Sequence, residues 1–309
     1  MRILFMGTPD FAVPSLQMLI GSPHEVVGVL TQPDKPQGRK QILTPPPVKS
    51  LALTHNIPVH QPATLKNDAI ADLLSETQPD LIIVVAYGKI LPKYVLDFPR
   101  LGCVNVHGSL LPRWRGAAPI QWSVIAGDRE AGVTTMKMAE GLDTGNILLV
   151  ERTEIGARET AGELFDRLAI MGAALLEKTV AQLEVQDMSG IPQDEAQACY
   201  ASMLDKEMAV IDWSKSAHEI DCLIRGLNPW PIALTTLDGA RVKVYAALPE
   251  SGSGTPGTVL ESDAKHGLLI ACGDGAMRIT ELQMVGGKRM SACDYLRGHA
   301  IPVGTQFGT

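Results

Sequence analysis

At 309 residues and 45% apolar composition the chain can bury two cores of ordinary domain size, and no uninterrupted apolar run reaches the roughly 20 residues of a membrane span. A net charge of −7 opposes any nucleic-acid partner held by long-range attraction. Five cysteines (Cys103, Cys199, Cys222, Cys272, Cys293) are odd in number, scattered and without a C-x-x-C pair, which argues against a disulfide framework and a zinc site and points to a reducing, cytoplasmic compartment.

Residues 2–7 read as a first β-strand and not as a signal peptide, because they lack a long apolar core and a small-residue cleavage site. Residues 10–20 carry apolar side chains at helical spacing (Phe11, Leu16, Leu19), and 25–31 is a second strand. Two short helices follow at 49–55 and 69–76. Residues 81–86 (Leu, Ile, Ile, Val, Val, Ala) are a continuous apolar run, as in a strand buried on both faces. Further strands are expected at 102–107 and 132–138, with a hairpin arm at 146–155. Residues 160–183 form a long amphipathic helix opened by a capping box of Thr160 and Glu163. This alternation predicts an α/β domain with a doubly wound, mainly parallel, Rossmann-like sheet.

Composition turns polar and irregular at 184–206, so we place a linker at 189–205, between a domain at 1–188 and a second at 206–309. In the second domain Ser216 and Glu219 form another capping box. Short β-rich segments at 232–237, 242–246, 257–260, 267–271 and 277–284, punctuated by glycines, predict a small OB-like β-barrel.

The chemistry concentrates in residues 103–116. A strand has a side-chain period of two, so Asn105 and His107 share a face, and they stand where the strand ends. Ligands of open α/β sheets sit outside the carboxyl ends of the strands. Asp143 follows another strand, between Gly141 and Gly145. It can be a plain turn residue, or it can converge with Asn105 and His107. A carboxylate beside an imidazole fixes its tautomer and favours the charged ring, and an asparagine can donate to a developing oxyanion. Ser109 lies nearby without a second base to activate it, so the trio suits direct transfer to an amine better than covalent catalysis. Residues 84–92 read either as core plus turn or as an apolar pocket wall for a flat heterocyclic ligand.

Other chemistries lose their signatures. Pro9 and Ala12 replace the glycines of a dinucleotide-binding turn, and the P-loop, G-x-S-x-G and H-E-x-x-H patterns are absent. Charge is uneven, however. From Asp34 to Lys49, Lys35, Arg39, Lys40 and Lys49 oppose one acid, Asp34, giving a local +3 that is either a solvated loop or a contact for an anionic partner.

The string Asn105-Val106-His107-Gly108-Ser109-Leu110-Leu111-Pro112, followed by Arg115-Gly116 and by Gly-Leu-Asp143-Thr-Gly, resembles the 10-formyltetrahydrofolate-dependent formyltransferase family. Gly7-Thr8-Pro9-Asp10-Phe11-Ala12 and Ile224-Arg225-Gly226-Leu227-Asn228-Pro229-Trp230-Pro231 are similar to the branch of that family that formylates methionyl initiator tRNA, so the likeness spans essentially the whole chain. The resemblance implies Asn105, His107 and Asp143 as the catalytic trio. It implies a folate site lined by Ser109, Leu110, Leu111 and Pro112, with Val85, Tyr87, Gly88 and Ile90 as its wall. It also implies tRNA contacts at Phe11, Arg39 and Lys40 and over the carboxyl domain. On this reading 10-formyltetrahydrofolate is the co-substrate, initiator Met-tRNA the acceptor, and no metal, membrane or obligate protein partner is needed. Two alternatives stay open: a formyltransferase acting on a small amine, such as an amino sugar or glycinamide ribonucleotide, and a non-catalytic protein whose OB-like domain binds nucleic acid.

Overall fold

The computed structural model describes residues 1–38, 40–186 and 188–308. Two compact units are present. The first comprises Met1–Pro119, Ala131–Thr153 and Phe165–Ala201, and the second Ile120–Glu130, Glu154–Leu164 and Ser202–Thr309. The expected linker at 189–205 is thus bonded into the first unit as far as Ala201.

In chain order the elements of the amino-terminal part are β1 (Arg2–Gly7), α1 (Val13–Ile20), β2 (Glu25–Leu30), β3 (Lys35–Gln37), β4 (Ile42–Thr44), α2 (Pro47–Thr54), β5 (Val59–His60), α3 (Ala71–Thr77), β6 (Leu81–Val85), α4 (Lys93–Leu96), β7 (Cys103–His107), β8 (Arg115–Gly116), α5 (Pro119–Ile125), β9 (Glu130–Lys137), β10 (Ile147–Glu154), α6 (Ala161–Val185) and β11 (Tyr200–Ala201). Among the described residues seven strands form one sheet in the order β10-β9-β7-β6-β1-β2-β5. From β1 the chain winds outward to β2 and β5. It then crosses back to β6 and β7 on the other side of β1, all of these pairing in parallel. That reversal is a topological switch point, where α/β sheets open a crevice for ligands.

Strands β1 and β6 run through the middle of the sheet, and all five residues of β6 are buried. Fully buried Ile and Leu side chains of this kind contribute about 1.5–3 kcal/mol each. The core on one face joins Leu4, Met6, Ile82, Val84, Tyr87 and Cys103. Helix α6 packs on the opposite face of β7, where a Cβ on Gly172 would lie 3.0 Å from Val106 Cγ1. Its Thr179 hydroxyl also bonds that of Thr135 on β9 at 2.8 Å. The capping box at Thr160 and Glu163 is present, and the Thr160 N–H and hydroxyl hold the Glu163 carboxyl below its ordinary range. Strand β9 runs antiparallel to β7 within the mainly parallel sheet, and Lys35–Gln37 pairs antiparallel with Ile42–Thr44 in the stretch read as a basic loop.

The second unit carries α7 (Ala217–Gly226), β12 (Ala233–Leu237), β13 (Ala240–Glu250), β14 (Val259–Asp263), β15 (Gly267–Ala271), β16 (Ala276–Met284), β17 (Met290–Ser291) and α8 (Ala292–Gly298). The Ser216–Glu219 capping box opens α7 as expected. The strands make an antiparallel sheet in the order β12-β13-β16-β15-β14, with β17 on β16. The carboxyl domain is thus the expected β-rich unit, but not an OB-like barrel closed strand to strand, because among the described residues the outer strands β12 and β14 share no ladder. The carboxyl-terminal segment bonds to both instead, through bridges from Phe307 to Leu237 and from Gln306 to Thr258 and through backbone bonds from Gly308 to Thr236 and from Val259 to Thr305, each at 2.9 Å. Barrel closure depends on strand tilt and stagger, which the spacing of short β-segments does not encode. Among the described residues no helix is long and apolar enough to cross a membrane.

Candidate active site

Strand β7 aims Cys103, Asn105 and His107 at one face. Cys103 sits in the core, Asn105 is half-buried, and His107 is 7% exposed at the carboxyl end. Strand pairing sets Asn105 against Val84 of β6 and His107 against Thr134 of β9. The turn that follows is closed by its own polar groups. Ser109 donates to the Arg113 carbonyl at 2.7 Å, and Thr134 donates to the Ser109 carbonyl at 2.7 Å. The Leu111–Pro112 peptide is cis.

The returning turn brings Trp114 to His107. The imidazole Nε2 lies 2.9 Å from the Trp114 carbonyl, which can only accept, so Nε2 carries a proton and donates. Nδ1 then faces Asp143, whose Oδ2 is 3.8 Å away. That oxygen accepts the Gly116 backbone N–H at 2.8 Å. One short segment therefore holds both members of the pair: Trp114 fixes the ring and Gly116 fixes the carboxylate.

Asp143 reaches this position by a route the sequence did not suggest. We expected it just past the carboxyl end of a neighbouring strand. Because β9 is antiparallel, its carboxyl end, Lys137, lies opposite Val104 and away from His107. Residues 138–146 fold back, and Gly145 lies so close to the Lys137 carbonyl that a Cβ there would stand 1.8 Å from it. Asp143 has a φ of 55° and Trp114 a φ of 61°, the left-handed region that non-glycine residues enter at a cost. Ala86, just beyond β6, is also there at 47°. Strained backbone of this kind gathers at functional sites.

Asn105 adds a second signal. Its Oδ1 is buried and has no hydrogen-bond partner among the described residues. An unpartnered buried amide oxygen costs about 1–3 kcal/mol, and such groups in native proteins call for an explanation.

The expected folate wall divides. Val85 and Tyr87 are buried in the core, and burial pushes the Tyr87 phenol up to about 12. The Tyr87 backbone carbonyl, in contrast, accepts from Gln32 Nε2 at 3.0 Å and Thr8 Oγ1 at 3.2 Å. Gly88 is exposed and Ile90 is 77% exposed. Ser109 and Leu111 are buried, whereas Leu110 and Pro112 are half-buried, with Leu110 against Gly132 of β9.

The expected tRNA contacts divide as well. Phe11 is 5% exposed and packs on Phe165 with ring centroids 5.3 Å apart. Lys40 is exposed in the β3–β4 turn, and Arg39 lies outside the described residues. Lys49 differs from the basic-loop reading, since its Nζ is 2.8 Å from both Asp34 oxygens and 2.9 Å from Gln61 Oε1. The Lys49 ammonium, with Gln61, holds the Asp34 carboxyl below its ordinary value. Among the described residues no group of three or more His, Cys, Asp or Glu side chains is placed to hold a metal ion.

Sequence reasoning missed the supports. Arg115 is fully buried, and its guanidinium meets Glu195 through two bonds of 2.9 and 2.7 Å and Gln193 Oε1 at 3.0 and 2.9 Å. A buried guanidinium needs such partners. The only clue in the sequence is an arginine in a strand-like turn with acidic and amide residues about 80 positions away, which is too distant to read.

Residues 1–180 match the family described as Formyl transferase, and residues 203–300 match that described as Formyl transferase, C-terminal domain. The methionyl-tRNA formyltransferase of Pseudomonas entomophila is 54% identical over 294 residues, covering 95% of this chain and 94% of that protein. The methionyl-tRNA formyltransferase of Geotalea daltonii is 51% identical over 308 residues, covering 100% of this chain and 98% of that protein. The crystal structure of the N-formyltransferase from Helicobacter canadensis, in complex with folinic acid and dTDP-3-aminofucose, matches with a TM-score of 0.68 at 18% identity. That match covers 93% of this chain and 99% of that one and is a likeness of fold.

Proposed function

The chain belongs to the formyl transferase family, among the methionyl-tRNA formyltransferases, and from that premise we propose the reaction in its finer detail. The formyl group of 10-formyltetrahydrofolate moves to the α-amine of methionine esterified to initiator tRNA. The observation that carries this reading is the approach of His107 Nδ1 to Asp143 at 3.8 Å beside Asn105, whose buried carboxamide oxygen lacks a partner among the described residues.

The amine attacks the formyl carbon, a C–N bond forms, and negative charge builds on the formyl oxygen. Asn105 and protonated His107 stabilise that charge. Nε2–H is committed to the Trp114 carbonyl, so Nδ1 is the ring nitrogen left for proton transfer. Asp143 compensates the charge of the ring and takes the proton released by the amine, directly or through water. The bond from the formyl carbon to folate nitrogen then breaks, and that nitrogen takes a proton from His107 or a water relay.

Ser109, Leu110, Leu111 and Pro112, with Val85, Tyr87, Gly88 and Ile90, bound the folate site, the buried members through backbone groups and packing. Lys40 and Arg39 meet the tRNA, as does the carboxyl domain at 206–309. Support for the latter is a cavity of about 310 Å³ in the second unit, lined by Lys206, Arg241 and Lys243 over Pro231 and Leu234, a setting that suits a phosphate backbone. The reaction runs in the cytoplasm, a reducing compartment that suits five free cysteines.

A formylation assay with 10-formyltetrahydrofolate tests the proposal. Initiator Met-tRNA should be formylated, and elongator Met-tRNA and free methionine should not. Turnover of a nucleotide-linked amino sugar with none of Met-tRNA would replace the proposal by the small-amine reading.

A further inference from the structure

We infer that Gln193 is a positioning residue, clamped by Arg115, that sets the place of Asp143 beside His107. The inference rests on the catalytic trio of the proposed function, and it concerns a segment whose composition marks only a linker.

Every polar group of the Gln193 carboxamide is used. Its Oε1 accepts from Arg115 Nε at 3.0 Å and Nη2 at 2.9 Å. Its Nε2 donates to the carbonyls of Asp143 at 2.8 Å and Gly145 at 2.7 Å. A side chain held at both ends cannot rotate, so it transmits the position of Arg115 to the Asp143 loop.

Arg115 is a good anchor. Its side chain has no exposed surface, and its guanidinium is paired with Glu195 through two bonds. Its backbone N–H donates to the Cys199 carbonyl at 2.9 Å, and Ala117 donates to Ala201 at 2.9 Å, so β8 is zipped to β11. A Cβ on Gly116 would stand 2.6 Å from the Ala201 carbonyl, which shows how close the two segments run.

Arg115 also lies between the two backbone groups that hold the catalytic pair, the Trp114 carbonyl on His107 and the Gly116 N–H on Asp143. Its backbone therefore orients both side chains, and its side chain, through Gln193, orients the Asp143 backbone. The loop needs an outside clamp. Asp143 holds a left-handed φ of 55°, and Gly141 and Gly145 on either side supply little stiffness. Without Gln193 the Asp143 carboxylate can leave both Gly116 and His107.

Two variants and two readouts test this. Gln193→Ala removes the clamp. Gln193→Glu keeps an oxygen for Arg115 but turns a second oxygen toward two carbonyls, so it breaks only the half that reaches Asp143. Both should lower kcat by on the order of 10²-fold, with the KM for 10-formyltetrahydrofolate within a few-fold of the parent. Added to Asp143→Asn, either should cost little more, because residues acting through one another are not additive. Independently of activity, hydrogen exchange at the Gly116 amide should speed up in both variants while the melting temperature stays near the parent's. A Gln193→Glu protein that is folded, protects Gly116 as the parent does and keeps its kcat overturns the inference. So does a full, additive loss on top of Asp143→Asn. If the parent itself formylates no Met-tRNA while the Gly116 exchange responds as expected, the functional proposal fails and the clamp stands.

Discussion

His107 Nδ1 stands 3.8 Å from Asp143 Oδ2, beyond hydrogen-bond reach, and that oxygen is already committed to the Gly116 N–H at 2.8 Å. The pair is held in register without being joined. Two separate backbone groups, at Trp114 and Gly116, do the holding. Catalytic hydrogen bonds often tighten only when substrate is bound.

Asp143→Asn keeps the shape and an acceptor for Gly116 but removes the charge. It should lower kcat by on the order of 10²–10³-fold with little change in folate affinity. Steady-state kinetics with equilibrium folate binding checks this. A large loss of folate binding with normal single-turnover rates would make Asp143 a ligand-holding residue instead.

His107 is buried, so a conservative substitution is the sounder test. His107→Gln retains a donor for the Trp114 carbonyl and should cost on the order of 10²–10⁴-fold in kcat. Asn105→Ala should cost roughly 10²–10³-fold, as for the loss of one oxyanion donor. Circular dichroism melts should remain near the parent's. A folded variant with parental kcat would remove that residue from the trio.

Ile90, a member of the expected folate wall, is 77% exposed, so it probes the site without disturbing the core. Ile90→Asp should raise the folate Kd several-fold while the melting temperature holds, because a charge is costly against an apolar ligand. Leu110→Asp is a poorer probe, since Leu110 packs against Gly132. Titration of tetrahydrofolate into the Ile90 variant decides, and parental affinity would move the pocket away from this loop.

Lys40→Ala with Arg39→Ala should raise the KM for Met-tRNA and leave folate affinity alone. Taking one cationic side chain away from a phosphate should flatten the plot of log K against log salt by about one unit. Lys49→Ala should leave that slope unchanged, because Lys49 is committed to Asp34 and Gln61. An identical slope for the Arg39/Lys40 double variant and the parent would leave the hairpin a solvated loop.

Asp80 accepts from the Arg2 N–H and from Arg100 Nε, both at 2.8 Å, and these bonds lower its carboxyl below the ordinary value of 3.8. A carboxyl lowered in the folded state stabilises the fold at pH values above 3.8, and the stabilisation is lost as pH falls through the lowered value. Asp80→Asn should therefore be less stable than the parent at neutral pH and equal to it in strong acid. Urea unfolding at the two pH values measures this, and a deficit that persists in acid would assign the loss to packing.

Much of this protein is written locally. The unbroken apolar run of β6 marks a strand buried on both faces, and the period of two puts Asn105 and His107 on one face of β7. The Thr160–Glu163 and Ser216–Glu219 pairs announce their helices, since a cap is an interaction across three residues. What sequence could not carry is pairing between distant segments. The antiparallel course of β9, the folding back of Asp143, the bonding of the carboxyl-terminal segment to both outer strands of the second sheet and the Arg115–Gln193–Glu195 brace all depend on it. Periodicity reports which face of an element is apolar, but not which neighbour it meets or in which direction. The Arg115 side chain also reads as a surface charge until the 78 residues separating it from Gln193 are closed into a 2.9 Å hydrogen bond that leaves the arginine side chain no exposed surface.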